Sequence, residues 1–266
     1  MPIIDFHTHI FPDKIAKQAL ATLAEDSGDY VPKTDGTLAG LTASMDHAGI
    51  GLSVVANIAT RPAQMLPIFD FCRRIAGPRI VPLISVHPEN TMSDVNSLFT
   101  EAADLGIRGV KLHPMYQGFF IDDRRMYPLY QLIEHFGFFV VFHTGYDIAF
   151  PGNTQADVER VVVIAREFRE LTIVATHVGG WRQWERAGIL GTCGNVYTET
   201  SMTLTEMEDR AFVKALSAFD EDRVLFGSDS PWTDQKEMAD RTLRLGLPQG
   251  RLEKLVELNA RKLLGI

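Results

Sequence analysis

Cysteine and long apolar runs are scarce in this sequence. Its 266 residues include two cysteines, Cys72 and Cys193, which lie far apart and outside any CxxC pattern. This spacing argues against a disulfide framework and favours reduced thiols. The longest apolar stretch, 136–142, is far shorter than the roughly 20 residues of a membrane span, and the first residues lack the basic segment of a secretion signal. We therefore predict a cytoplasmic protein without a membrane partner.

Basic residues are also fewer than acidic ones. Acidic residues outnumber basic ones by 34 to 26, and the formal net charge is −8. A protein that binds nucleic acid normally carries a clustered basic face, so we expect no nucleic-acid partner. No linker or low-complexity segment divides the chain. Because α/β barrels of about 250 residues are common as one unit, we predict a single domain over residues 1–266.

Short apolar, β-branched runs alternate with amphipathic helical patterns along the chain. Eight such runs occur, at 2–6, 50–57, 79–86, 107–112, 138–142, 172–176, 195–200 and 223–228. Most are continuously apolar, as strands covered on both faces are. Strand alternating with helix favours parallel strands, and eight units predict an α/β fold, a single (β/α)₈ TIM barrel. An open doubly wound sheet is the alternative, but it usually carries a glycine-rich phosphate loop, which this sequence lacks.

Histidine is concentrated at the predicted strand ends. Six of the eight histidines lie there, namely His7, His9, His87, His113, His143 and His177. The other two lie inside helical patterns. Because catalysis in a barrel takes place at the carboxyl ends of the strands, this clustering predicts an active site rather than scattered surface histidines.

The chain begins with a His-Thr-His motif that predicts half of a metal site. Residues two apart on a strand point to the same face, so His7 and His9 project together. Neutral imidazoles at this spacing are natural ligands for zinc or a similar divalent ion. His143 and His177 end the fifth and sixth predicted strands, and Asp229 ends the eighth. Barrel closure brings the eighth strand beside the first, so the Asp229 carboxylate can reach an ion held by the histidine pair.

Five segments carry a resemblance to a known family. They are DFHTHIFP, GVKLHP at the fourth strand, VVFHTG at the fifth, THVGG at the sixth and VLFGSDSPW at the eighth, and they span residues 5–232 in the family's order. The sequence thereby resembles the amidohydrolase superfamily. Within it, the sequence is similar to the amidohydrolase-2 group, which includes aminocarboxymuconate-semialdehyde decarboxylase and related benzoate-type decarboxylases. The resemblance implies a metal-dependent hydrolase or decarboxylase on a TIM barrel.

The resemblance also implies roles for individual residues. His7, His9 and His143 would hold one divalent ion, most often zinc with manganese as the alternative, and Asp229 would lie on or beside it. His177 would stand just outside the ion, where it orients a bound water or polarises the substrate. Such an ion lowers the pKa of bound water from about 15.7 toward about 7. Asp229 is then the natural proton acceptor and donor.

Lys111, in GVKLHP, leaves three interpretations open. Its ammonium could bind a substrate carboxylate or stabilise negative charge in the transition state, which is the interpretation that we favour. It could instead be carboxylated and bridge a second metal ion, as in binuclear members of the superfamily. It could also form a structural salt bridge. Glu199, which ends the seventh predicted strand, could be a carboxylate of the site or the partner of Lys111 or of an arginine.

Further residues after the strands are candidates for substrate binding. Together with Lys111 they are His113, His87, Arg61, Trp181 and Tyr146. The histidines could equally brace the metal ligands, and the aromatic rings could serve packing alone. Because Lys111 and Arg61 are cations, we expect a small-molecule substrate that is anionic.

The same metal ligands suit two reactions. The first hypothesis is hydrolysis of a small ester, lactone or amide by metal-bound hydroxide. The alternative is non-oxidative decarboxylation of a small unsaturated or aromatic carboxylic acid, in which the ion holds substrate oxygens and an acid protonates the carbon. A cation such as Lys111 supports the second hypothesis without deciding between the two. A catalytically dead barrel that binds a metal or a partner is a minor third alternative, because neither the HxH pair nor Asp229 is missing.

Two loop features concern the surface. The first βα connection, 13–36, is long, and we expect it to cover part of the barrel mouth as a lid. Phe119, Phe120 and Phe150 lie in predicted loops, where apolar rings would suit either a homodimer interface or a lid.

Overall fold

The computed structural model describes residues 2–25, 28 and 30–266. In this part of the chain eight parallel strands follow one another around the molecule. They are β1 (Ile3–Thr8), β2 (Ile50–Ala56), β3 (Ile80–Leu83), β4 (Gly109–Leu112), β5 (Phe139–Phe142), β6 (Thr172–Ala175), β7 (Val196–Glu199) and β8 (Val224–Leu225). Each strand overlaps one of the eight apolar runs, so the strand prediction is confirmed.

Helices connect the strands. Those that the structure describes are α1 (Asp13–Glu25), α2 (Leu38–Ala48), α3 (Met65–Ile75), α4 (Met92–Asp104), α5 (Pro114–Gln117), α6 (Tyr127–His135), α7 (Val158–Glu167), α8 (Trp184–Ala187), α9 (Thr203–Glu206), α10 (Asp209–Leu216), α11 (Gln235–Leu243), α12 (Gln249–Glu253) and α13 (Asn259–Leu264). Their ends follow local chemistry. At the start of α2 the Thr37 side chain accepts a hydrogen bond from the Gly40 N–H, and Gly49 ends the helix with a φ of 72°.

The strands form two sheets, β1–β3 and β4–β8, that join at both edges. At one junction the Ile84 N–H donates to the Gly109 carbonyl at 3.0 Å, and the Lys111 N–H donates to the Ile84 carbonyl at 2.8 Å. At the other junction the Phe6 N–H of β1 donates to the Phe226 carbonyl after β8 at 2.8 Å. The eighth strand therefore lies beside the first, and the fold is the predicted α/β TIM barrel.

Two apolar layers stabilise the barrel. Its interior contains Ile4, Phe6, Val54, Val141 and Leu225, each at most 1% exposed. A larger cluster fills the space between the strands and the helices. Because both faces of the strands are covered, their sequences are continuously apolar. The barrel is therefore a packed core and not a pore, which leaves the strand ends as the place for chemistry.

The first βα connection contains α1, a helix that the sequence prediction did not include. Side chains of α1 line a cavity at the barrel mouth. This placement agrees with a covering role for the connection 13–36, of which residues 26, 27 and 29 lie outside the described part of the chain.

The three loop phenylalanines do not form one exposed surface. Phe119 is 0% exposed and packs in the core between strands and helices, so it is not available for a homodimer interface. Phe150 is partly buried against the same core, and Phe120 is 41% exposed. None of the helices in the described ranges is long and apolar enough to cross a membrane.

Candidate metal centre and substrate cavity

A cavity of about 620 Å³ lies at the carboxyl ends of the strands. The charged and histidine residues at strand ends that line it are His7, His9, Lys111, His113, His143, His177 and Asp229. They come from β1, β4, β5, β6 and β8, so barrel closure brings together residues that are distant in the sequence. Apart from the half-buried His9, each of them is at most 7% exposed.

One group of these residues, the first cluster, consists of His7, His9, His177 and Asp229. His7 Nε2 lies 3.1 Å from His9 Nε2, and His9 Nε2 lies 3.1 Å from Asp229 Oδ1. His7 Nε2 is 3.8 Å from the same carboxylate oxygen. His177 Nδ1 lies 4.0 Å from the other oxygen of Asp229. His7, His9 and Asp229 thus direct ligand atoms toward one point.

The outer nitrogens of the two β1 histidines determine where their protons lie. His7 Nδ1 is 3.0 Å from Glu199 Oε1, and His9 Nδ1 is 2.7 Å from the Ala56 carbonyl. Neither acceptor carries a proton, so each Nδ1 must donate one. Burial lowers the pKa of the His7 ring, which is therefore neutral with a lone pair on Nε2. Because both Nδ1 atoms donate away from the cluster, the inner nitrogens of His7 and His9 are the atoms that face the Asp229 carboxylate, an arrangement that suits a bound cation.

The spacing of these atoms fits a divalent metal ion. Zinc binds imidazole nitrogen and carboxylate oxygen at about 2.0–2.2 Å, which in a tetrahedral site puts neighbouring ligand atoms about 3.3 Å apart. The three separations among His7, His9 and Asp229 are 3.1, 3.1 and 3.8 Å. Imidazole favours zinc, and carboxylate also suits manganese. The residues present therefore fit the kind of ion that the sequence predicts.

Glu199, predicted as either a site carboxylate or a salt-bridge partner, lies directly behind His7. Its carboxylate accepts from His7 Nδ1 and, at 3.0 and 2.7 Å, from the His177 backbone N–H and the Ser201 hydroxyl. It does not pair with Lys111. Burial raises the pKa of Glu199, but the adjacent His7 and His177 rings outweigh burial and bring this pKa to about 2. Glu199 therefore orients His7, as carboxylates behind metal-binding histidines commonly do.

His177 and Asp229 have backbone conformations that side chains rarely adopt. Their φ angles are 60° and 71°, in the left-handed region. The His177 N–H is held by Glu199, and the Asp229 N–H donates to the His7 carbonyl at 2.8 Å. Val178 has a φ of 55° although it is β-branched. Such strained positions concentrate at functional sites, where the surrounding structure compensates for them.

Asp5 joins β1 to the segment after β8. Its carboxylate accepts hydrogen bonds from the Ser228 N–H at 2.9 Å, the Ser228 hydroxyl at 2.5 Å, the Gln235 amide at 2.7 Å and the His7 N–H at 3.2 Å. Burial raises the pKa of Asp5 to about 6. This network fixes the two segments that carry His7 and Asp229 relative to each other. Asp5 belongs to the DFHTHIFP segment, whose sequence alone does not indicate this role.

His113, His143 and Asp147 form the second cluster. His113 Nε2 lies 3.1 Å from Asp147 Oδ2, and His143 Nε2 donates to the Tyr146 carbonyl at 3.0 Å. The rings of His113 and His143 stack with their centroids 4.3 Å apart. His143 Nδ1 lies 3.2 Å from His177 Nε2, so His177 connects the two clusters.

His143 and His177 are the two remaining candidates for a ring nitrogen on the ion. The family resemblance implies His143 on the ion and His177 just outside it, and this order stays a prediction. In the structure His177 offers a ligand atom within 4.8 Å of those of His7 and Asp229, and His143 contacts this group through His177. Burial holds the pKa of His143 well below its usual value and lowers that of His177 to about 4. Both rings are therefore neutral, and each can offer a nitrogen lone pair.

Lys111 is a buried cation beside the first cluster. It is 1% exposed on β4, and its Nζ lies 3.5 Å from His7 Nε2. Burial lowers its pKa to about 8, although the charges of Asp229 and Glu199 oppose this shift. Lys111 forms no ion pair with a carboxylate of the described residues, which speaks against a structural salt bridge. An ammonium in this situation can bind an anionic group that enters the cavity.

The other predicted substrate contacts fall into two groups. Arg61 and Trp181 line the cavity, Arg61 with an exposed side chain and Trp181 with a buried one. His87 and Tyr146 lie outside the described cavity wall. His87 Nδ1 accepts from the Glu89 N–H at 3.2 Å and so stabilises its own loop, and the Tyr146 ring packs against Trp181 with centroids 5.8 Å apart.

Comparisons with known proteins identify the fold and the family of the chain. The sequence profile of the amidohydrolase family matches residues 4–266. No curated protein matches the sequence. Among solved structures, an uncharacterized TIM-barrel protein from Bordetella bronchiseptica superposes with a TM-score of 0.82 at 24% identity, over 100% of this chain and 99% of that chain.

Two further similar structures are decarboxylases. A 2,6-dihydroxybenzoate decarboxylase complexed with 2,6-dihydroxybenzoate has a TM-score of 0.75 at 15% identity, over 100% of each chain. A 5-carboxyvanillate decarboxylase from Novosphingobium aromaticivorans, complexed with manganese and 4-hydroxy-3-methoxy-5-nitrobenzoic acid, has a TM-score of 0.73 at 14% identity, over 100% of this chain and 96% of that chain. These similarities show the shared fold, and the profile match over almost the whole chain shows the family. The protein is an enzyme of the amidohydrolase family.

Proposed function

We propose that the protein is a metal-dependent decarboxylase of a small aromatic or unsaturated carboxylic acid. The observation that carries this proposal is the buried Lys111 ammonium, which lies beside the first cluster without a carboxylate partner among the described residues. A substrate carboxylate supplies that partner. The two decarboxylases of the same fold support the proposal, since both are complexed with benzoate-type acids and one also with manganese. They favour decarboxylation over the hydrolysis that the motifs alone suggested first.

Lys111 and Asp229, two polar residues of the cavity, each have a separate task in the reaction. The bond between the carboxylate and the adjacent carbon breaks, its electron pair stays on that carbon, carbon dioxide leaves and the carbon takes a proton. Lys111 orients the carboxylate through a charge-assisted hydrogen bond. A divalent ion, when bound, supplies positive charge that stabilises negative charge on the substrate oxygens. Asp229 accepts a proton from a hydroxyl or enol group of the substrate and returns it to the carbon, and solvent then restores the hydroxyl proton.

Asp229 suits this proton transfer better than Glu199. Asp229 lies in the cavity wall, where a substrate can approach its carboxylate. Glu199 is 0% exposed, and its oxygens already accept hydrogen bonds from His7, the His177 backbone and Ser201. The two carboxylates therefore differ in function: one reacts and the other orients.

We propose one divalent ion, zinc or manganese, held by His7, His9 and Asp229 with a further histidine nitrogen from the His177 and His143 pair. The imidazole-rich donor set favours zinc. The alternative, a carboxylated Lys111 with a second ion, is tested by elemental analysis of the wild type and Lys111→Met. One ion per chain in both proteins supports the single site. Two ions in the wild type, falling to one or none in the variant, support the carbamate bridge.

The reaction is tested by giving the zinc- or manganese-loaded enzyme a panel of hydroxybenzoates and short unsaturated acids and measuring carbon dioxide release. We expect release that a chelator abolishes. Lys111→Met keeps the length of the side chain but removes its charge. Because hydrogen bonds to charged groups contribute about 1.5–3 kcal/mol, we expect kcat/KM to fall about 10- to 100-fold.

Lys254→Met is the matched control, because Lys254 pairs with Glu221 and Asp222 outside the cavity wall. It should leave kcat/KM within about twofold. Hydrolysis of an ester or lactone panel, without carbon dioxide release from any acid, would contradict the proposal and restore the hydrolase hypothesis.

A further inference from the structure

The cavity extends beyond the two clusters into a region between α1 and α3, which we call the apolar wing. Its apolar lining consists of Ile15, Ala19, Leu23, Ile58, Ile68 and Phe71. Polar side chains of the same elements, Gln18 and Thr22 on α1 and Arg61 and Gln64 before α3, also border the cavity. The wing is therefore richer in aliphatic and aromatic side chains than the region of the two clusters, which is lined by histidines, aspartates and Lys111.

The α1 wall of the wing is a stripe of apolar side chains that borders the open cavity. Ile15, Ala19 and Leu23 are spaced by four residues, so they lie on one face of the helix, and this face borders the cavity. Ala16 and Leu20 form the neighbouring stripe and are buried, at 1% and 7% exposed. Ile15, by contrast, is 50% exposed. α1 thus has two apolar stripes, of which one packs on the barrel and the other faces an open space.

The facing wall repeats this arrangement on α3. Ile68 and Phe71 are three residues apart and border the cavity, Ile68 as a partly buried side chain and Phe71 as a core residue that is 8% exposed, while Phe69 and Cys72 pack in the core. Two helices therefore turn apolar side chains toward the same space. Filling this space with an apolar group removes apolar surface from water, which is favourable.

We infer that the substrate acid carries an apolar substituent, an alkyl chain or a second ring, which lies in the apolar wing while the carboxylate meets Lys111. This inference deepens the proposed function and rests on it. The cavity of about 620 Å³ is within the range of about 300–1,000 Å³ that drug-sized ligands use, so a bare hydroxybenzoate leaves the wing empty. The orientation follows from charge and burial, because Lys111 is a buried cation without a carboxylate partner among the described residues, whereas Arg61, the cation before α3, is exposed and stays hydrated.

The test uses inert probes whose nitro group has the planar shape of a carboxylate but cannot leave as carbon dioxide. They are 2-nitrophenol and its 4-butyl and 5-butyl derivatives, titrated calorimetrically into the zinc-loaded enzyme. Each buried methylene contributes about fourfold in affinity. We therefore expect one butyl isomer to bind at least about tenfold more tightly than 2-nitrophenol, with part of the chain buried.

Two matched variants of α1 test whether the gain in affinity from the butyl group arises in the apolar wing. Ala19→Phe fills the wing, and Ala21→Phe makes the same change at an exposed position of the same helix that is not part of the described cavity wall. The butyl gain should persist in Ala21→Phe and disappear in Ala19→Phe, while 2-nitrophenol binds all three proteins within about threefold. Circular dichroism checks that each variant folds. Ile15→Gln, at a half-exposed position, replaces Ala19→Phe if that variant does not fold, and should lower the gain about fivefold.

Equal binding of butyl and parent probes to the wild type would overturn the inference, as would a butyl gain that survives Ala19→Phe. The proposed function fails in a different way. If the butyl gain is present but no alkyl hydroxybenzoate releases carbon dioxide, the wing is a binding site and the decarboxylase proposal is wrong. If hydroxybenzoates release carbon dioxide but butyl groups give no gain, the decarboxylase proposal remains and the inference about its substrate is wrong.

Discussion

The first and second clusters have similar compositions, histidines and one aspartate at strand ends, but their hydrogen bonds differ. In the first, His7 and His9 donate their Nδ1 protons outward, to Glu199 and to the Ala56 carbonyl. Their Nε2 atoms then face each other and the Asp229 carboxylate. A bound metal ion would supply positive charge between these inner atoms.

In the second cluster a histidine proton can satisfy the aspartate carboxylate. His113 turns its Nε2 toward Asp147 at 3.1 Å, and its Nδ1 has no hydrogen-bond partner among the described residues. The Nε2 proton can therefore be donated to the carboxylate directly. Side-chain composition alone does not distinguish the two clusters. The acceptors behind the rings do, because they decide which nitrogen is left to bind a cation.

The largest difference between the clusters should appear in turnover. Asp229→Asn keeps the shape of the side chain but cannot accept a proton, so kcat for decarboxylation should fall by about 10²- to 10⁴-fold. Asp147→Asn, the matched change in the second cluster, should lower kcat by less than about tenfold, because Asp147 lines the cavity but its carboxylate is paired with His113 at 3.1 Å and lies outside the first cluster. Steady-state kinetics on the metal-loaded proteins measures both. A larger loss of kcat in Asp147→Asn than in Asp229→Asn would assign the proton transfer to Asp147.

Metal content should distinguish the clusters next. His7→Ala removes an inner nitrogen of the first cluster and should lower the metal content after dialysis from about one equivalent to about a tenth. His113→Ala removes a ring of the second cluster and should leave the content unchanged. Elemental analysis against protein concentration is the measurement. Equal loss in both variants would mean that the ion lies between the clusters or in the second one.

The smallest of the three effects concerns Glu199, which accepts a hydrogen bond from His7 of the first cluster. Glu199→Gln leaves every ion ligand in place but weakens the orientation of His7, and outer partners of this kind contribute about 10- to 100-fold in metal affinity. We expect the Kd for zinc, measured by competition with a chelator, to rise by that factor. Glu101→Gln, at an exposed glutamate paired with Arg73, is the control and should not change it. An unchanged Kd in Glu199→Gln would show that His7 is oriented by packing alone.

Much of the fold could be predicted because the relevant signal is periodic. Each of the eight strands overlaps a run that is apolar and β-branched. The helix α1 was missed, since its apolar residues form two stripes rather than one. Ala16 and Leu20 pack on the barrel, and Ile15 and Ala19 face the cavity. A helix with one apolar stripe packed on the core and another facing a cavity lacks the single narrow stripe that identifies an amphipathic helix.

The candidate site could be predicted in outline for a similar reason. Strand ends in a barrel meet at one face, so the strand-end rule brought His7, His177 and Asp229 together. The rule also selected His87, which the described cavity wall does not include, because the loop after β3 turns the ring toward its own backbone. Glu199 had a usable signal: it ends β7, between the strands that carry His177 and Asp229. Its contact with His7 depends on side-chain rotamers, which sequence patterns do not contain.

The sequence by itself determined the alternation of strands and helices, the acidic charge, the strand-end histidines and the motifs that identify the family. These properties depend on residue type and spacing along the chain, which a single sequence displays in full. Only the tertiary structure decided which histidine nitrogens face one another, that Lys111 lies beside His7 rather than in a salt bridge, and that α1 and α3 enclose an apolar wing. Those properties depend on distances of a few ångströms between residues up to about 220 positions apart, as between His7 and Asp229. Such distances are set by barrel closure and side-chain packing, and not by any local pattern.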